Sequence, residues 1–141
     1  MTGDSQTTTL VVQQPLHAAL RTIRGALAKQ GLEVAADLDM AGRISKYLRL
    51  ELPPCRVLCV DCPIAVLEAI TLDRSAAVLL PLHLVIASQG DATVIHILNS
   101  TAALYHALPF PARASVSKLQ SKVVEALESV ATRQNPLQIG A

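Results

Sequence analysis

Short β-branched runs alternate along this chain with segments whose apolar residues recur every three or four positions. TTTLVVQQ (7–14) reads as a strand. Pro15 then opens a helix, where its missing N–H is harmless. Leu16, Leu20, Ile23 and Leu27 follow at helical spacing, and Gly31 supplies the stop. LEVAADLD (32–39) is a second strand. Asp39 can cap a short helix from about Met40 to Leu48, with Ile44, Tyr47 and Leu48 facing inward. CRVLCVDC (55–62) reads as a buried strand ending near Cys62, and Pro63 suits the first turn of the helix IAVLEAITL. After the polar break DRS (73–75), VLLPLHLVIAS and ATVIHILN form a hairpin about SQGD (88–91). A loop with Pro109 and Pro111 leads to the last helix. There Ser117 and Gln120 make a capping box, and Val116, Leu119, Val123, Leu127 and Val130 form the inward stripe.

These elements predict an α+β fold: a five-stranded, mostly antiparallel sheet with helices packed on one face. With no repeat or linker, residues 1–141 read as a single domain. Its ordered core is expected over about 7–133, with a polar N-terminus and a frayed tail after Arg133.

Composition narrows the function classes. Apolar residues make up 51% of the 141, enough for a real core, and with 2% aromatics that core must be aliphatic. Twelve basic and 11 acidic side chains leave a net charge of +1, too weak a field to select nucleic acid or an anionic membrane. The longest apolar stretch, Ala76 to Ala87, is broken by Pro81 and His83 and is short of a membrane span. The N-terminus MTGDSQTTT lacks the pattern of a secretory signal, so the expectation is a cytoplasmic protein with neither membrane nor nucleic-acid partner.

All three cysteines lie within PCRVLCVDCP. On a strand, Cys55 and Cys59 share one face about 13 Å apart, and Cys62 points the other way. Thiolates so placed cannot converge on one metal, which makes Cys55 and Cys59 small core residues. Cys62 stands at the start of a helix, where a thiol can be activated. Beside it, Asp61 either caps that helix or faces a pocket at the sheet's end.

The hairpin offers a geometric inference. With the turn centred on Gln89-Gly90, His83 falls directly opposite His96, close enough to share a proton or a metal. The other face, with Leu82, Leu84, Ile86, Ile95 and Ile97, is more apolar and should meet the helices. The histidine face is then exposed or covered by a partner. His17 and His106 read as surface residues. No nucleophile elbow, phosphate-binding glycine loop or zinc-protease motif is present.

Several stretches resemble one family. GLEVAADLD (31–39) looks like a Gly-(Phe/Leu)-x-Val strand opening, and RVLCVDCP (56–63) like an apolar strand ending in Gly-Asn-Pro or Cys-Asn-Pro. LLPLHLVI (79–86) looks like a Leu-Pro-Leu-(Lys/Arg) strand, and ILNST (97–101) stands where Tyr-Asn-Asp-Pro is common. From about Leu10 to Ala131 the chain resembles DUF302, the bacterial domain-of-unknown-function family 302. It departs at Asp61-Cys62, His83, Leu98 and Ser100-Thr101. The resemblance implies a fold similar to a single TATA-binding-protein repeat, β-α-β4-α with an added helix here, and a homodimer. It brings no established activity.

The reading that follows is a non-enzymatic dimer that binds a small molecule or a protein partner. His83, His96, Asp61 and Cys62 would line its groove, with no cofactor predicted. One alternative is a transition-metal or haem protein using His83 and His96 with Cys59 or Cys62. Another is a small thiol-dependent enzyme using Cys62.

Overall fold

The computed structural model describes residues 7–99 and 106–134. Most of the frayed-tail expectation, the N-terminal six residues and Ser100-Thr101 lie outside the described residues.

Strand β1 (Thr7–Val12) leads through Pro15 into helix α1 (Leu16–Lys29). Helix α1 stops as expected at Gly31, whose φ of +71° a residue with a Cβ adopts only at a cost. Strand β2 (Glu33–Asp39) runs into helix α2 (Met40–Leu48), and the Asp39 carboxylate accepts from the Gly42 N–H at 2.9 Å. Strand β3 (Cys55–Asp61) precedes helix α3 (Pro63–Leu72). Strands β4 (Leu82–Gln89) and β5 (Ala92–Leu98) form the hairpin. Helix α4 (Phe110–Glu128) and a two-residue strand β6 (Thr132–Arg133) close the described chain.

The sheet has six strands in the order β2-β3-β4-β5-β1-β6, each pair antiparallel. The expected count of five missed β6, whose two residues cannot display an alternation. It is fastened to β1 by the pairs Leu10–Arg133 and Val11–Thr132, and by the Gln134 N–H donating to the Thr9 carbonyl. α1 links β1 to β2, crossing from one side of the sheet to the far edge.

The core lies between one face of the sheet and the helices. Leu10, Leu58, Val60, Leu84, Ile86 and Ile95 are fully buried there against Ile23 and Leu27 of α1 and Val123 and Leu127 of α4. Each large aliphatic side chain so buried contributes about 1.5–3 kcal/mol. The apolar hairpin face meets the helices as its pattern predicts.

Four local expectations need correction. The strand expected from Val78 starts only at Leu82. Asp73 accepts from both the N–H and the hydroxyl of Ser75 and starts a 3-10 helix, Arg74–Leu79; Pro81, which has no N–H for the ladder, then precedes the strand. The capping box fails as well. α4 begins seven residues before Ser117, with Pro111 in its first turn, so Ser117 and Gln120 are mid-helix. Val116, Leu119, Val123 and Leu127 do point inward. On α2, Ile44 is half-buried, but Tyr47 and Leu48 are 70% and 63% exposed rather than inward. Finally, the hairpin turn is Gly90-Asp91, not Gln89-Gly90, with Gly90 at φ +63°.

Candidate functional site

The shift of the turn by one residue changes the histidine geometry. His96 sits opposite Val85 on one side and Thr9 on the other, and its Nδ1 lies 3.0 Å from the Thr9 hydroxyl. His83 sits opposite Cys59 of β3. The two histidines therefore share a face but stand diagonally, not directly across. His83 is exposed and His96 half-buried.

Asp61 lies on the same face, two residues beyond Cys59, and is paired with Glu33 of β2. Cys62 stands apart from these three. It is the N-cap residue of α3, packs against the core, and borders a small cleft with Ser115, Lys118, Leu119 and Lys122 of α4. The open face thus unites His83, His96, Asp61 and Cys59, and leaves Cys62 on the helix side.

No helix covers this open face among the described residues. Its positions include Val11, Val57, Cys59, Val85, Val94 and Leu98, with no lysine or arginine among them. An antiparallel sheet facing water on one side usually alternates polar residues outward. Here Val11, Val57, Val85, Val94 and Leu98 form an aliphatic patch among the polar Thr9, Asp61, His83 and His96. Cys59 is 8% exposed and Val94 7%. Burial pushes the Cys59 thiol up from its ordinary value, which keeps it protonated at neutral pH. A neutral thiol is a poor nucleophile and a poor metal ligand. Among the described residues, no group of three or more His, Cys, Asp or Glu side chains could hold a metal ion.

A second concave region is framed by residues the sequence reading assigned elsewhere or not at all. Thr8 of β1, Asn99 after β5, Arg133 of β6 and one side of α4 enclose a cleft of about 390 Å³. Gln120 belongs to its lining and is 6% exposed, and its Oε1 has no hydrogen-bond partner. A signal for it was present: Gln120 follows Val116 by four residues and precedes Leu127 by seven, a polar residue on the apolar stripe.

The profile of the family called Domain of unknown function DUF302 matches residues 8–132, nearly nine-tenths of the chain. The chain belongs to the DUF302 family. It is also similar to the crystal structure of an uncharacterized conserved DUF302 protein from Bacillus stearothermophilus, with a TM-score of 0.80 and 14% identity. That match covers 89% of this chain and 98% of the other. At that identity the likeness speaks for the fold alone, and it agrees with the α+β layout of this DUF302 chain. No curated protein matches. None of the described helices is long and apolar enough to cross a membrane.

Proposed function

We propose that this DUF302 protein is a cytoplasmic, non-enzymatic binding module that works as a homodimer, each copy covering the other's open sheet face. The observation that carries this reading is the aliphatic, cation-free outer face of the sheet. Two such faces meet without like-charge repulsion between cations, and a two-fold axis lets the same patch serve both copies. The five strands from β2 to β1 span about 19 Å at ~4.8 Å spacing, and six to eight residues span roughly 20–26 Å along them. That flat footprint, roughly 400–500 Å², is about half of the ~800 Å² per partner of a standard interface and in the range of a weaker one. His83, His96 and Asp61 would stand in or beside the seam and offer the groove its polar contacts.

Two further features support the reading. All three cysteines are free thiols, as a reducing compartment keeps them. The strand order β2-β3-β4-β5-β1, with long helices α1 and α4 on one face, suits the TATA-binding-protein-like description. The test is Val85→Lys, which sets a cation in the centre of the face. Light scattering should report a dimer for the parent and a monomer of half the mass for the variant, with circular dichroism unchanged. A variant that stays dimeric places the interface elsewhere.

A further inference from the structure

Helix α2 and the turn after it gather cations and apolar side chains on the outside of the protein. Residues 43–52, RISKYLRLEL, hold three cations against one carboxylate, Glu51. Arg43, Lys46 and Arg49 are all exposed, and none makes an ion pair among the described residues. The acids just before them are already engaged: Asp37 holds Arg24 and Arg56, and Asp39 caps the helix. Among the cations stand Tyr47 and Leu48, then Leu50 and Leu52 at 56% and 46% exposed.

Local structure turns this cluster outward. No residue of α2 is fully buried, and the helix touches mainly β3. Lys46 and Tyr47 follow Arg43 by three and four positions, so the three share one side of the helix. Lys46 Nζ lies 5.6 Å from the centre of the Tyr47 ring. Arg49 ends the helix at φ +55°, a left-handed conformation that glycine adopts at less cost. A glycine would close this turn more easily, so the worth of the arginine lies in its side chain. α2 also shares a cleft with Leu16 of α1 and with Arg56, whose strand partner is the core residue Ile86. The cluster therefore belongs to the helix side of the sheet, and a dimer joined through the open face leaves it free.

The surface asks for a partner that is anionic and accepts aliphatic side chains. A second copy fails on charge, since a two-fold axis through the patch sets cations against cations. An amphipathic protein segment is held in an apolar groove, and these side chains project from one short helix and its turn. An anionic bilayer needs no groove. It takes leucine and tyrosine at the acyl boundary and lysine and arginine among the headgroups. We propose that residues 43–52 are a peripheral docking surface for a membrane leaflet rich in anionic lipid. Tyr47, Leu48 and Leu50 enter the interface, and Arg43, Lys46 and Arg49 meet the lipid phosphates. This runs against the expectation of no membrane partner, which took the charge of the chain as a whole. It goes beyond the dimer reading and does not depend on it.

The experiment is co-sedimentation of the full chain with vesicles of equal parts phosphatidylglycerol and phosphatidylcholine, and with vesicles of phosphatidylcholine alone. The chain should sediment with the first and stay in solution with the second, and binding should weaken as salt is raised. Arg43→Gln and Lys46→Gln should each weaken it about fivefold, the worth of one cation beside an anionic leaflet. Leu48→Ser combined with Leu50→Ser should weaken it about tenfold or more, because that apolar area no longer leaves water. Arg49→Gly should also bind less while melting no lower than the parent. Val85→Lys should still sediment with the mixed vesicles. Titration with polyglutamate covers the other occupant. The proposal is overturned if the chain ignores the mixed vesicles, if it binds both kinds equally, or if the cation or leucine variants bind like the parent. It is overturned too if polyglutamate saturates the chain while the mixed vesicles leave it in solution, since the surface then serves an acidic protein segment. A distinctly lower melting temperature in Arg49→Gly would count against it as well, since that arginine would then serve the fold.

Discussion

Asp37 joins three elements through one carboxylate. Arg56 of β3 donates to it from Nε at 2.9 Å and from Nη2 at 2.8 Å, and Arg24 of α1 donates at 2.6 Å. The two Arg56 hydrogen bonds, with the single one from Arg24, hold the Asp37 carboxyl below its ordinary 3.8 against the opposing effect of partial burial. A lowered folded-state value means the unfolded chain takes up the proton first. The contribution is therefore complete above the ordinary carboxylate range and is lost as pH falls through the lowered value. Asp37→Asn should cost about 1 kcal/mol at pH 7, charge-assisted bonds being discounted for the partial exposure of all three groups. Urea unfolding should show that gap constant above pH 5 and closing below the ordinary 3.8. A gap that persists unchanged at lower pH would contradict the assignment. Residue-level sequence reading did find Asp39 as a cap, Gly31 as a stop and the inward stripe of α4. It could not find Asp37, because nothing local says that an acidic residue in β2 faces arginines 13 residues earlier and 19 later.

Helix α2 is the element whose pattern misleads most. Its apolar residues sit at helical spacing, yet Tyr47 and Leu48 are exposed, as are Leu50 and Leu52 beyond it. The helix touches mainly β3, so among the described residues half of its stripe meets no other element. Amphipathic period shows which residues share a side, not whether another element stands there. Its stability then leans on the Asp39 cap. A Cβ at Gly42 would press on the Asp39 carboxylate. Asp39→Ala should cost α2 about 1 kcal/mol by loss of the cap. Gly42→Ala alone should be nearly neutral, its helical gain of about 1 kcal/mol offset by displacing that cap. In the Asp39→Ala background the same glycine change should instead stabilise. Amide exchange across α2 measures each step, and additive single effects would refute the coupling. The hairpin teaches a related lesson. Both strands were legible from alternation, but the register hangs on which two residues turn. Moving the turn to Gly90-Asp91 sets His83 opposite Cys59 and makes its relation to His96 diagonal.

At the scale of the whole molecule, the two faces of the sheet divide the labour. The inner face is sealed by α1 and α4 with fully buried aliphatic residues. That layering was legible in the hairpin, where Leu82, Leu84, Ile86, Ile95 and Ile97 share one face, but not in β2 and β3, which carry apolar residues on both faces. The outer face keeps an aliphatic patch where water would favour polar side chains, and sequence alone marked it as the histidine side, exposed or covered by a partner. The cleft at the β1–β6 edge needed tertiary placement: Thr8, Asn99, Gln120 and Arg133 come from four separate segments, one of them a strand of two residues. Native mass spectrometry of the untagged chain reads directly whether the outer face is covered by a second copy. One chain weighs 15.0 kDa. A species of twice that mass should appear, collapsing to a single chain in Val85→Lys. A parent that flies as a single chain at micromolar concentration would contradict it.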